Sequence, residues 1–226
     1  MKTRTLVYML ALIAVSVAAC ATTQQARTVE TTGFLSHYEL LKPGGEGRAL
    51  LVYRNPHADF SRYDKVVIDR VTIWKGNNSK LRDVDHADLR RLVLDLHYAI
   101  KDKLDEDYTI VDKGGPGTMR ISAALTEAGK SKAALDIFST IVPTARILSA
   151  GKGMATGTES FVGGAAAELE ITDTETGELL LAAVDKRAGG KSLKGSTDRW
   201  SDVRFAFAYW AQRIKDRLAE ERARGK

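Results

Sequence analysis

A single cysteine, Cys20, is all that 226 residues contain. That excludes an internal disulfide and any zinc site built from several thiolates. Histidine is also scarce, with only His37, His57, His86 and His97. Their spacing matches no HExxH pair and no Cys/His zinc pattern, and no DxDxDG calcium loop is present. On one helix His86 and His97 would stand about 16 Å apart along the axis, too far to share a metal. The run Leu6–Ala18 is about 13 residues, short of the roughly 20 that cross a bilayer as a helix. No internal repeat or low-complexity block appears. A strong charge of one sign is missing as well. The 34 basic and 29 acidic residues give +5, and Lys2 and Arg4 lie in the leader, which leaves 32 against 29. Basic and acidic residues alternate through the body as on a solvated surface, which disfavours a nucleic-acid partner. These shortages lead us to expect neither metal nor cofactor.

What is present begins at the amino terminus. Met1–Arg4 is a short positive region, Leu6–Ala18 is an apolar stretch of signal-peptide length, and small residues precede Cys20. Val17-Ala18-Ala19-Cys20 resembles a bacterial lipobox, with valine where leucine is more usual. The resemblance implies cleavage between Ala19 and Cys20, lipid (palmitate-type acyl chains) on the Cys20 thiol and acylation of the new amino terminus. One chain holds a membrane weakly, whereas two or three hold it stably. Residue 21 is alanine rather than the aspartate associated with inner-membrane retention. The expected address is therefore the cell outer membrane, lipid-anchored and facing the periplasm. The expected organisation is a signal peptide over 1–19, a lipidated terminus and flexible tether over 20–32, and one α+β domain over 33–226.

Within that domain, 34–60 reads as an irregular lead-in with a short strand at Ala49–Tyr53, broken by Pro43-Gly44-Gly45 and Asn55-Pro56. "YDKVVIDRVTIW" (63–74) is rich in β-branched residues and reads as one strand. Leu89, Leu92, Val93, Leu96, Ile100 and Leu104 recur at helical spacing, with Asp83 or Asp85 as cap. Tyr108–Asp112 reads as a short strand. Thr118–Ala128 alternates, with Met119, Ile121, Ala123 and Leu125 on one face. Phe161–Asp173 and Glu178–Arg187 read as a hairpin around "TETGE", where Gly177 takes positive φ. Trp200, Val203, Phe207, Trp210, Ile214 and Leu218 mark a long amphipathic helix. This order predicts a single α+β domain, with a mixed or largely antiparallel sheet and two main helices packed on it.

Chemistry-bearing motifs are weak. "GGKS" (189–192) lacks the earlier glycine of a P-loop, because Asp185 stands there. "GKGMATG" (151–157) misses the dinucleotide fingerprint, and "GKSLK" (190–194) is not a nucleophile elbow. His86 sits among Asp83, Asp85 and Asp88, which is simplest as a cap at a helix start. His57 beside Asp59 is a faint acid–base pair. Trp200, Phe205, Phe207, Tyr209 and Trp210 suit either a core or a ligand wall. "DIFSTIVPTARILSAG" (136–151) is the odd segment: apolar at Ile137, Phe138, Ile141, Val142, Ile147 and Leu148, and interrupted by Pro143. It reads as either a broken helix over the sheet or a candidate surface for a protein partner or the bilayer. Lys186, Arg187 and Lys191 are the candidate anion contacts.

Three stretches, "YDKVVIDRVTIW", "AELEITDTETGELLLAAVDKRAGGK" and "WSDVRFAFAYWAQRIKDRL", with the lipobox, resemble a bacterial lipoprotein family catalogued as domain of unknown function 3313. The likeness spans about Gly33 to Leu218. It implies an envelope lipoprotein and carries no activity, cofactor or catalytic residue. The reading is a membrane-anchored periplasmic lipoprotein that acts through envelope contacts and an envelope protein partner. A ligand-binding or hydrolytic domain built on the glycine-rich loops is the alternative.

Overall fold

The computed structural model describes residues 23–76, 79–130, 163–189 and 198–225. Its strands in chain order are β1 (Thr23–Gln25), β2 (Lys42–Pro43), β3 (Leu51–Arg54), β4 (Lys65–Ile68), β5 (Thr72–Ile73), β6 (Thr109–Ile110), β7 (Thr118–Gly129), β8 (Gly164–Asp173) and β9 (Leu179–Gly189). The helices are α1 (His86–Leu104) and α2 (Ser201–Arg224). All nine strands form one sheet in the order β2-β3-β9-β8-β7-β4-β6, with β1 also on β9 and β5 also on β7. Pairing is antiparallel from β2 through β7, while β4 and β5 run parallel to β7, and β6 parallel to β4. Parallel neighbours need a long crossover, and α1 supplies it between β4 and β6. The fold is thus a single α+β domain with a mixed sheet and two helices.

Both helices cover one face of the sheet. Leu89, Leu92, Leu96, Ile100 and Leu104 on α1 are fully buried, and Val203, Phe207, Trp210 and Leu218 on α2 join the same core. Ala206 and Ala211 are buried too; as small residues they let α2 lie close to its neighbours. Asp85 caps α1, its Oδ1 accepting from the Ala87 N–H at 2.7 Å and more loosely from Asp88. Beyond the end of α1, the Glu106 carboxylate accepts from Lys215 of α2 and from Lys103, and these bonds hold its pKa down to about 2.

The opposite face is covered by the lead-in. Leu35 packs on Ala182 and Val184, with Leu51 and Tyr53 beside them. The anchor there is Glu168 of β8, which is fully buried. Its Oε1 accepts from the Thr32 N–H at 2.8 Å and the Thr32 hydroxyl at 3.0 Å, and its Oε2 from the Tyr38 hydroxyl. The Tyr38 oxygen in turn accepts from the Gly33 and Leu35 amides. Burial, then the bond to Glu168, raises the Tyr38 pKa.

Two expectations change. Residues 23–32, expected as part of a flexible tether, are attached: β1 pairs with β9 from Thr23 opposite Gly189 to Gln25 opposite Arg187, and Ala26 donates to the Lys186 carbonyl. A three-residue polar edge strand has no periodicity of its own, and its conformation comes from its partner. The single strand expected over 63–74 divides into β4 and β5. Ile68 pairs with Ile121 and Thr72 with Ala124, so four steps on one strand match three on the other. Asp69 fills the break, its carboxylate accepting from Arg120 at 2.7 Å and from the Ser122 hydroxyl at 2.8 Å.

The β8–β9 hairpin turns where the sequence predicts, with Gly177 at φ 72°. Asp173 Oδ1 accepts from the Glu175 and Thr176 amides at 2.8 and 2.9 Å, and Oδ2 from the buried Tyr63 hydroxyl at 2.8 Å. Burial alone would raise the Asp173 pKa, but the Thr176 amide, the Tyr63 hydroxyl and the Glu175 amide outweigh it and lower it. A depressed carboxyl stabilises the fold above its unfolded pKa and stops doing so as pH falls through its folded value. Tyr63→Phe is expected to cost about 1.5–3 kcal/mol in urea unfolding at neutral pH, the worth of a hydrogen bond to a charged group. That cost is expected to shrink in acid as Asp173 protonates, and an unchanged cost at low pH would contradict the assignment.

Candidate functional site

Where α2 crosses the helix-covered face, the layers do not close. A cavity of about 160 Å³ lies between α2 and strands β7, β8 and β9. Its floor is set by register: Ala123 stands opposite Leu169, Leu169 opposite Ala183, and Ala167 opposite Asp185. Alanine at three of these positions leaves depth that a larger side chain would fill. Ile100 of α1 and Tyr209, Trp210 and Ile214 of α2 close the other side. Of the aromatics weighed as core or ligand wall, Trp200 and Phe207 are core. Trp210 is a core residue and Tyr209 packs half-buried against the core, and both line the cavity.

The polar end of the cavity is organised by Asp185, which is 5% exposed. Its Oδ1 accepts from Gln25 Nε2 at 2.8 Å and from the Leu50 amide at 3.2 Å, and its Oδ2 from Trp210 Nε1 at 2.8 Å. One carboxylate therefore joins β1, the approach to β3, β9 and α2. A buried carboxylate is tolerated when its lone pairs are met by donors, and three are met here. Arg187, two residues on, lies on the same face. Its Nε donates to Thr23 Oγ1 at 2.9 Å and its Nη2 to the Thr23 carbonyl at 3.0 Å, while the guanidinium stacks 3.6 Å from the centre of the Tyr209 ring.

The expected anion site does not assemble from Lys186 and Arg187. Successive residues of a strand face opposite ways. Arg187 turns into the core, and Lys186, on the lead-in face, pairs with Glu127 at 2.8 Å. His57 and Asp59 take separate tasks: the His57 amide donates to Asn55 Oδ1, and Asp59 Oδ1 accepts from the Ser61 amide and hydroxyl, which lowers the Asp59 pKa. His97 Nδ1 lies 3.2 Å from the Asp69 carbonyl oxygen. Among the described residues no group of three His, Cys, Asp or Glu is arranged to hold a metal, and no helix is long and apolar enough to cross a membrane. Ala19, Cys20, Lys191, the 151–157 stretch and the segment carrying Ile137, Phe138, Ile141, Val142, Ile147 and Leu148 lie outside the described residues.

Sequence reasoning missed Asp185 and the cavity. The faint signal was an acidic residue on the inward-facing register of a buried strand. Asp185→Asn puts an N–H against either the Leu50 amide or the Trp210 indole. It is expected to cost about 1–3 kcal/mol in equilibrium unfolding, the penalty for an unmatched buried donor. A neutral result would remove Asp185 from its bridging role.

The family described as Protein of unknown function (DUF3313) matches residues 30–214, which takes in the lead-in strap, strands β2 to β9 and most of α2. A comparison with curated proteins finds no match. Among solved structures, a variant of the PelC dodecamer from Paraburkholderia phytofirmans in space group C2 is 13% identical, with TM-score 0.37, over 73% of this chain and 94% of that one. The PelC dodecamer from the same organism in space group P6 is 14% identical, with TM-score 0.35, over 70% of this chain and 92% of that one. With the family matched from the strap to α2, the chain belongs to the DUF3313 family of proteins of unknown function.

Proposed function

We propose that this DUF3313 protein is a lipoprotein, anchored through Cys20 on the periplasmic face of the outer membrane, whose domain works by contact with envelope components rather than by catalysis. The lipobox-like Val17–Cys20 carries the anchoring half of this reading. One structural observation supports the contact half. Gly129 pairs with Gly164, Gly164 with Ala188, and Thr23 with Gly189, so all of them lie at one end of the sheet. Only residues 21 and 22 separate Cys20 from Thr23, a reach of about 10 Å at full extension. A lipid on Cys20 therefore holds that end of the sheet at the bilayer surface. The chain leaves β7 at Gly129 and enters β8 at Gly164, both at this end, and we take the apolar stretch from Ile137 to Leu148 in the connection as the contact segment. The buried charges beside the cavity favour contact over catalysis, because Asp185 and Arg187 are taken up by fixed partners.

Two measurements test this. Cys20→Ser is expected to abolish palmitate labelling and move the protein from the membrane to the soluble envelope fraction; continued membrane fractionation would overturn the anchor. A photo-crosslinking residue at Ile141 or Ile147 is expected to capture an envelope protein or lipid in living cells. The same probe at Leu94, exposed on the outer side of α1, is expected to capture about tenfold less, as for a residue outside the contact. Equal capture from both sites would remove the 137–148 segment from the proposal.

A further inference from the structure

The cavity under α2 has two properties that an ordinary packing gap lacks: a smooth apolar body and a set of guanidinium groups in its lining. Its body is bounded by Ala123, Ala167 and Ala183 below and by Ile100, Trp210 and Ile214 above. At about 160 Å³ it is comparable to the roughly 150 Å³ engineered cavity that stays dry and takes benzene. It therefore has room for about six or seven carbons of an alkyl chain.

Four arginines complete the lining: Arg48, Arg54, Arg213 and Arg217. They differ in how far they are committed. Arg54 and Arg217 both pair with Glu221, whose side chain is fully buried, and are fixed by it. Arg213 pairs with Asp216 at 3.2 Å, both side chains being more than a third exposed. Arg48 is exposed and makes no ion pair with another described residue. The carboxylates nearby are offset or turned away. Asp185 Oδ2 lies 3.8 Å from Arg187 Nη1, which balances its charge, and Glu168 sends its carboxylate to the other face of the sheet, where the strap takes it. An anion arriving at this opening meets guanidinium groups with exchangeable or absent partners, while its tail meets a dry apolar wall. An alcohol gains only a weaker hydrogen bond to a neutral oxygen from such a rim, and a cation is repelled by it.

We infer that the cavity binds a single-tailed anionic amphiphile, with the tail under α2 against the three alanines and the carboxylate or phosphate head received by Arg48 and Arg213. A free fatty acid and a lysophospholipid share this chemistry. The site does not require the lipid on Cys20, so it stands or falls apart from the proposed anchor.

The test uses the full-length chain in unfractionated cell extract, so that it does not depend on membrane attachment, exposed to decanoic acid bearing a diazirine midway along its tail, and to decanol and decylamine bearing the same group. Labelled peptides are mapped by mass spectrometry. The carboxylate probe is expected to label the strand and helix that carry Ala183 and Trp210 about tenfold more than the alcohol or amine, the return on one charge-assisted contact. Ala183→Leu, which fills the floor, is expected to remove labelling by all three probes. Arg48→Gln with Arg213→Gln is expected to remove only the preference for the acid. Thermal melting checks that each variant folds, and Ala167→Val replaces Ala183→Leu if the latter does not. Unlabelled decanoate and lysophosphatidylglycerol then compete against the probe in the unaltered protein, and the stronger competitor identifies the head group. Labelling that ignores head-group charge, labelling that survives a filled floor, or no labelling of these elements at all would each overturn the inference.

Discussion

Asp185 on β9 and Glu168 on β8 occupy adjacent cross-strand pairs, Asp185 with Ala167 and Glu168 with Val184, and they point to opposite faces of the sheet. Each is a carboxylate with almost no solvent exposure, and each collects donors from elements distant in sequence. Burying an ionised group is costly unless its lone pairs are matched, so each site demands that its donors be in place together. Glu168 thereby requires the strap at Thr32 and Tyr38 on one face. Asp185 requires β1, the approach to β3 and the Trp210 indole on the other. The middle of the sheet becomes the point at which both outer layers are registered.

That arrangement explains an asymmetry in the packing. On the strap Leu35 is buried while Val29, Phe34, Tyr38 and Leu41 are only partly covered, so a directional anchor adds to modest burial. On the helix face, α1 and α2 bring a nearly continuous row of leucine, isoleucine and aromatic groups. Helix α2 is tied to this face by its indole on Asp185 and by its Tyr209 ring over Arg187. Polar contacts place these two side chains, and the small residues of the strands beneath leave the space. Both come from the same few positions of β8 and β9.

The sequence disclosed what is local. α1 was legible because Leu89, Leu92, Leu96, Ile100 and Leu104 repeat at helical spacing behind an aspartate cap, and the hairpin because Asp173 and Gly177 suit the turn between two alternating runs. The break between β4 and β5 was not legible, since it is imposed by the count of residues on β7 and by the side chains that reach Asp69. β1 was hidden for a similar reason: "TQQ" has no preference that distinguishes it from a tether until β9 is beside it. The candidate site was the least visible. Lys186 and Arg187 look like one basic pair in the chain, yet the pleat sends them to opposite faces. A hollow made by Ala123, Ala167 and Ala183 is a relation among three strands, invisible in any one of them.

The position of β1 has a mechanical consequence. It runs antiparallel along β9 with Thr23, its first residue, opposite Gly189 near the strand's far end. Tension applied to the chain ahead of Thr23 and directed away from that end of the sheet pulls along the strand axis. The β1 pairings and the Arg187–Thr23 hydrogen bonds then carry the load in parallel, as a lap joint does, instead of parting one at a time as a zipper would. Three residues of polar strand can in this way resist a pull that would peel off a longer segment attached at right angles.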